Sequence, residues 1–362
     1  MKKQTIITFL FSLFLALTAW AQSSVSHDQP AESSKNPHHT QTLGDAQPFA
    51  NVPATRIQPR TPLDYLKAMT FAHQTENFEQ LYIIQQGENV DSLRYRHAFW
   101  KGKEYAQLLK LDDVREEIIL RDGTVSYFGD FQPFSLKSAM ILDNLPAVIY
   151  ANFDTLEGYN FIDAGRTRVA DRVARVIRIV PRDDFRYQYR LWIDEENHLL
   201  LRSELLDRDG VVLEQFRVVQ SQVDEQLLYI IEPISTLILP TLINPNPHNS
   251  KEDTLTWYPK WIPNGFKEMA SGRQSLSEIL RSNEEIESTF YSDGLFSFTI
   301  YLVENKGISF TEQFWREGKM SVYSQTVGNK DVVIVGEIPL VSARHIAQQF
   351  VEKKPSAESK TQ

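Results

Sequence analysis

Residues 157–219 read EGYNFIDAGRTRVADRVARVIRIVPRDDFRYQYRLWIDEENHLLLRSELLDRDGVVLEQFRVV, the longest unbroken rhythm of strands and turns in the chain. Phe185, Tyr187, Tyr189, Leu191 and Ile193 share one side of an extended backbone, and Arg186, Gln188 and Arg190 share the other. Asp194-Glu195-Glu196-Asn197 interrupts with four polar residues, and Leu199, Leu201, Ser203 and Leu205 resume the alternation. Asp207-Arg208-Asp209-Gly210 turns the chain again before Val211–Val219. Three successive antiparallel strands with one apolar face are expected, a sheet built to cover something.

Around this stretch the chain extends to 362 residues, which argues for two folded domains with tails. The absence of cysteine removes disulfides and thiolate chemistry. Lys2 and Lys3 precede an apolar run from Ile6 to Ala19, and Ala19-Trp20-Ala21 fits a small-x-small cleavage site. Residues 1–21 are therefore expected to be a cleaved signal peptide, which places the mature chain in the periplasm. Losing the two lysines takes the formal charge from −9 to −11. So acidic a chain is a poor nonspecific binder of nucleic acid.

Residues 22–60, rich in Ser, His, Pro and Gln, lack an apolar period and are expected to be a disordered tail. Thr61-Pro62-Leu63-Asp64 opens a helix that runs to about Thr75. Five short strands follow between Leu81 and Phe128, punctuated by Gly87-Glu88-Asn89, Lys101-Gly102-Lys103, Asp112-Asp113 and Arg121-Asp122-Gly123. Such spacing suggests a barrel or a strongly curled antiparallel sheet. The rhythm breaks from Gln132 to Tyr150, read as a mobile apolar segment or short helix across the mouth of the sheet. The first β domain then spans 61–220, with a connection at 221–256. The apolar part of that connection, Leu227–Ile243, is expected to lie docked, and Asn244–Thr254 to be the linker proper.

A smaller α+β domain is expected over 257–352. Its sheet takes four strands from Ile286–Tyr291, Leu295–Val303, Lys319–Val327 and Val332–Glu337. Ala343, Ile346, Ala347, Phe350 and Val351 follow the spacing of one helix face. Residues 353–362 are expected to be a second disordered tail.

No phosphate-binding glycine loop and no nucleophile elbow occurs, and the eight histidines are scattered. Neither an enzyme nor a bound cofactor or metal is expected. The arginines at 166, 168, 172, 175, 178, 182, 186 and 190 admit two readings. One is a ladder of cross-strand pairs with acids such as Glu204 and Glu214, each pair contributing at most about 1 kcal/mol. The other is an anion site, with Arg166, Arg168 and Arg172 as candidates for gripping a phosphorylated headgroup. Phe99, Trp100, Tyr127, Phe131, Phe134, Phe161 and Trp192 suit either a packed core or the lining of a cleft for acyl chains. Trp257 and Trp261, beside prolines at a domain edge, are candidate anchors for a partner, with Phe266 close by.

Gly165-Arg166-Thr167-Arg168-Val169-Ala170-Asp171-Arg172 followed by Val173-Ala174-Arg175 resembles the central signature of the MucB/RseB family. The Leu191–Asp194 and Leu199–Arg202 pair, Ser92–His97, Arg115–Ile119, Trp261-Ile262-Pro263, Gly265-Phe266 and the Ser292-Asp293-Gly294 turn agree with it. The resemblance runs from about Leu63 to Val351. It implies an N-terminal domain like the half-open β-barrels of lipoprotein carriers. It implies a periplasmic regulator of the envelope-stress sigma factor that binds the periplasmic part of a membrane-spanning anti-sigma factor. Binding would shield that partner from proteolysis, and lipopolysaccharide or lipoprotein acyl chains would release it. The curled sheet alone would also suit a lipid or lipoprotein carrier with an accessory domain. Homo-oligomerisation is left open.

Overall fold

The structure, a computed structural model, describes residues 59–243, 255, 257–275, 285–305 and 312–352. The expected signal peptide, the C-terminal tail and the linker at 244–254 lie outside them, as does nearly all of the N-terminal tail.

Helix α1 (Pro62–Thr75) starts on a reciprocal cap. The Asp64 N–H donates to Thr61 Oγ1 at 3.2 Å, and the Thr61 N–H donates to Asp64 Oδ2 at 2.9 Å. Its inner side buries Leu66, Met69, Ala72 and His73. Six strands follow: β1 (Phe78–Gln86), β2 (Asn89–Trp100), β3 (Lys103–Lys110), β4 (Glu117–Arg121), β5 (Thr124–Gly129) and β6 (Phe131–Lys137). Five more are β7 (Tyr159–Val169), β8 (Arg172–Pro181), β9 (Gln188–Asp194), β10 (Leu200–Leu206) and β11 (Val212–Val223). All eleven form one open antiparallel sheet in the order β6-β5-β4-β3-β2-β1-β11-β10-β9-β8-β7. The expected meander is β9, β10 and β11, and β7 and β8 extend it to the sheet's edge.

This order dictates what fills the sheet. The chain leaves at one edge, β6, and must re-enter at the other, β7, so residues 138–158 cross the whole apolar face. The expected mobile segment thus divides. Phe131–Lys137 is an edge strand, and only the remainder crosses, through an irregular stretch and a short 3-10 turn at Ala147–Tyr150. Ile141, Leu145, Val148, Ile149, Ala151 and Phe153 of this crossing segment share one core with α1 and with Tyr82, Leu93, Tyr95, Leu108, Ile177, Leu191 and Phe216 of the sheet. Bulges in β11, at Leu213 and Val219, and in β7 add local twist and bend as the sheet curls around that core.

On the opposite face α2 (Leu228–Thr236) docks over Ala98, Tyr105 and Ile119 through Ile234. Arg121 Nη1 donates to the carbonyls of Ile234, Ser235 and Leu237, satisfying the end of that helix. The chain then runs beside β6, where Ser135 exchanges backbone hydrogen bonds with Thr241 and Ile243.

The C-terminal domain contains β12 (Trp257–Pro259), β13 (Lys267–Ser275), β14 (Glu285–Ser292), β15 (Ser297–Glu304), β16 (Gln313–Glu317), β17 (Met320–Val327) and β18 (Lys330–Gly336). Helix α3 (Leu340–Gln348) and β19 (Phe350–Glu352) close it. The four expected strands are β14, β15, β18 and β17. They form the middle of a six-stranded sheet, with β13 and β16 added at its edges. Helix α3 stops before Phe350, which sits in β19 paired with β12 and still reaches the core beneath the helix.

Candidate functional site

The apolar face of the N-terminal sheet is the first candidate. Paired residues across antiparallel strands share a face, and Tyr95, Leu108, Ile118, Tyr127 and Phe134 form one row on the inner side. Tyr127 stacks on Phe134 with ring centroids 4.8 Å apart, and Phe131 stands 5.9 Å from Phe134 at the half-open rim. Phe161, also inner, meets Phe153 of the crossing segment edge-on. Phe99 is exposed at the end of β2. The other two aromatic candidates face away. Trp100 joins Phe128 and Leu228 beside α2, and Trp192 pairs with Val176 and Arg202, under the Arg202 guanidinium at 4.5 Å.

Between sheet and crossing segment the contacts are partly polar. The Tyr82 hydroxyl donates to the Asn144 carbonyl, and the Tyr127 hydroxyl donates to Asp143 Oδ2, each at 2.8 Å. Desolvation by the protein packed around it pushes the Asp143 carboxyl above its ordinary range, although the residue keeps an exposed edge, and the Tyr127 hydrogen bond opposes the shift. Two hydroxyls therefore fasten the middle of the segment, which is otherwise apolar there. Its ends are tied by the Ser138 N–H to the Gly123 carbonyl, by the Lys67–Asp154 ion pair and by Arg182 and Arg186 at the Gly158 carbonyl.

The arginine cluster is internally paired. Arg166 meets Glu195, Arg168 meets Asp171 at 2.7 Å, and Arg172 meets Asp194 and Glu196. A shallow depression of about 370 Å³ beside them is lined by Asp171, Arg172, Val173, Asp194, Glu195 and Glu196. Four carboxylates outnumber its single guanidinium, so an anion entering there must first displace one of them. Of the two acids named from sequence, Glu204 does pair within the sheet, with Arg190 and Arg202. Glu214 instead accepts Lys319 Nζ of the C-terminal domain at 3.1 Å.

That pair belongs to the second candidate, the joint between the domains. Lys319 also meets Glu337 at 3.0 Å. Burial works against the Lys319 charge, but Glu214 and then Glu337 outweigh it and hold its pKa above the usual lysine value. The β14–β15 turn inserts into the N-terminal core, where Phe296 stacks on Tyr189 at 5.7 Å and meets Tyr187 edge-on at 5.9 Å. The Tyr187 hydroxyl donates to the Ile338 carbonyl at 2.9 Å, and burial pushes its pKa up to about 12. Trp261 packs 4.6 Å from Phe185 and 4.4 Å from His345. Phe266 lies 5.0 Å from Phe298 and touches both cores. Two of the three partner-anchor candidates thus sit in the joint. Trp257, half-buried in β12, lies against Gly328.

Sequence reading missed a fully buried charge in this joint. Alternation puts Arg186 on the strand face opposite Phe185 and Tyr187, within the arginine ladder, yet β9 begins only at Gln188 and the Arg186 side chain is 0% exposed. A signal was present. Asp183-Asp184 breaks the strand pattern just before it, and Gly158 and Gly265 supply the space it occupies.

These features define a two-domain β-sheet protein whose candidate sites are binding surfaces: a filled, fastened apolar sheet and a charged joint. The chain belongs to the MucB/RseB family. The N-terminal domain model of that family matches residues 61–242, and its C-terminal domain model matches residues 251–351. The Sigma-E factor regulatory protein RseB of Haemophilus influenzae is 43% identical over 286 residues, 78% of this chain and 89% of that protein. RseB of Escherichia coli is 41% identical over 288 residues, 79% of this chain and 89% of that one. The crystal structure of MucB in complex with MucA(peri) shares the fold with a TM-score of 0.62 at 23% identity, covering 82% of this chain and 100% of that one.

Proposed function

We propose that this chain is a periplasmic regulator that binds the periplasmic part of a membrane-spanning anti-sigma factor and shields it from proteolysis. Lipopolysaccharide or a lipoprotein's acyl chains would then release it. The observation that carries the reading is the family match across both domains, to relatives named as sigma-E regulators. The core geometry supports the lipid arm. An acyl chain entering under the sheet replaces Ile141, Leu145, Val148 and Ile149 with similar apolar surface. At about 0.8 kcal/mol per buried methylene, the exchange is nearly neutral. What the lipid must break are the Tyr82 and Tyr127 hydrogen bonds to Asn144 and Asp143. If the lipid-bound form holds the partner less well, the partner weakens lipid binding by the same factor.

The test is retention of the mature chain on the immobilised periplasmic segment of an anti-sigma factor from the same organism. Retention that purified lipopolysaccharide abolishes supports both arms, and retention indifferent to lipid removes the release arm. No retention, with acyl-chain transfer between vesicles, would replace the regulator with a carrier.

A further inference from the structure

Arg186 lies in a socket built almost wholly by the N-terminal domain. Its Nη1 donates to the Glu157 carbonyl at 3.0 Å, and its Nη2 donates to the Gly158 carbonyl and to Asp183 Oδ2, both at 2.8 Å. The guanidinium lies 4.2 Å over the Tyr159 ring. Gly158 makes this possible, because a Cβ there would stand 2.5 Å from Nη2. The ligand comes from the other domain. Asp293, at the tip of the β14–β15 turn with its side chain fully buried, brings Oδ2 to 3.6 Å from Arg186 Nη1 and accepts the Tyr159 hydroxyl at 2.5 Å. Its Oδ1 accepts the N–H groups of Leu295 and Phe296 at 2.9 and 2.8 Å, so the carboxylate is aimed by its own turn. Gly265 of the C-terminal domain closes the socket at φ +91°, where a Cβ would meet Nη1 and the Glu157 carbonyl at 3.1 Å.

We infer that Arg186 and Tyr159 form a preorganised carboxylate receptor whose intramolecular ligand is Asp293, and that this contact is the lock setting how the two domains are arranged. All the hydrogen bonds that orient Arg186 lie within the N-terminal domain, and those that orient Asp293 lie within its own turn, except the one from Tyr159. Each half therefore persists when the domains part, and both charges become hydrated. Pairing two charges that have left water favours one geometry far more than it favours association in general. The inference rests on the regulatory reading for its biological meaning, but its test needs neither the anti-sigma partner nor a lipid.

The chain contains no cysteine, so Lys101→Cys and Gln313→Cys, both at exposed positions on different domains, can carry a spin-label pair. The parent should give one interdomain distance. Asp293→Asn leaves every N-terminal bond of Arg186 in place and should raise the population of a second, separated arrangement by about a hundredfold. Arg186→Met should do the same, and Arg186→Met with Asp293→Asn should separate less than the sum of the two single changes. A folded Asp293→Asn variant with the parent's distance distribution would overturn the lock. So would strict additivity in the double variant. Should Arg186→Met fail to fold, Gly158→Ala, which drives the guanidinium from its seat, replaces it in the same comparison.

Discussion

His73 sits on the buried side of α1, and its Nε2 accepts the Leu200 backbone N–H at 3.1 Å. The ring proton is therefore on Nδ1, and the imidazole is neutral. Phe78 packs against it edge-on at 5.3 Å, and His97 is the titratable neighbour that opposes a charge on it. Burial first, and His97 second, hold the pKa down at about 3, against 6.5 for a free imidazole. Below pH 6.5 the unfolded chain takes up a proton that the folded chain refuses until about pH 3. Stability must fall with pH across that window, by about 1.4 kcal/mol for each unit. Other titrating groups contribute as well, so the measurement compares the parent with His73→Gln, whose amide oxygen can still accept from Leu200 but does not titrate. In urea titrations at pH 7, 6 and 5, the stability difference between the two should move against the parent by about 2 kcal/mol between pH 7 and 5. Because His73 ties α1 to β10, fast amide exchange in α1 should appear first. Parallel pH curves for the two proteins would mean that the imidazole is solvated or charged in the fold, and would refute the reasoning.

Asp143 has the opposite sign. Its folded pKa is raised, so the folded state takes up a proton at higher pH than the unfolded chain, and this carboxylate costs stability at neutral pH. Asp143→Asn, which keeps an acceptor for Tyr127, should slow amide exchange over residues 141–150 at pH 7 and do so by less at pH 4. If the segment opens more readily in the Asp143→Asn variant at both values, the carboxylate is holding it rather than straining it. Phe350→Ala should cost roughly 3–5 kcal/mol in denaturant titration, since the ring fills the core beneath α3. An unchanged midpoint would show that the last strand is not docked.

How legible these features were follows from where each residue's second face lies. The β9–β11 meander and the inner strands β14, β15, β17 and β18 could be read because alternation or continuous apolarity marks a buried face. The edge strands β13 and β16 escaped. All five residues of β16 are exposed, so nothing in their order distinguishes a strand from a loop. Residues 138–158 escaped for a topological reason. Their conformation is imposed by the need to travel from β6 to β7, a demand that no local pattern records. The aromatic candidates illustrate a further limit. Residue type named Trp192, Trp100 and Tyr127 together, whereas strand parity divides them between faces. Parity failed in turn at Arg186, because it assumes an extended chain that had not yet begun.

The two ways in which this chain fastens its parts differ in kind. Helix α2 is held by Ile234 and Leu228 against Ala98, Tyr105 and Ile119, with Arg121 capping its carbonyls. Lifting it would bare an apolar patch to water, with only the Arg121 guanidinium regaining hydration. The domain joint has its aromatic contacts, Phe296 on Tyr189 and Trp261 on Phe185, but it surrounds them with Arg186–Asp293, Lys319–Glu214–Glu337 and Arg316–Asp207. Buried ion pairs add little net stability over apolar contacts of the same volume, because the desolvation cost nearly cancels the attraction. On separation that cost is returned as hydration. The joint therefore binds in one specific register yet loses comparatively little when it opens, which is the energetic profile a ligand of modest differential affinity needs in order to shift a two-state arrangement.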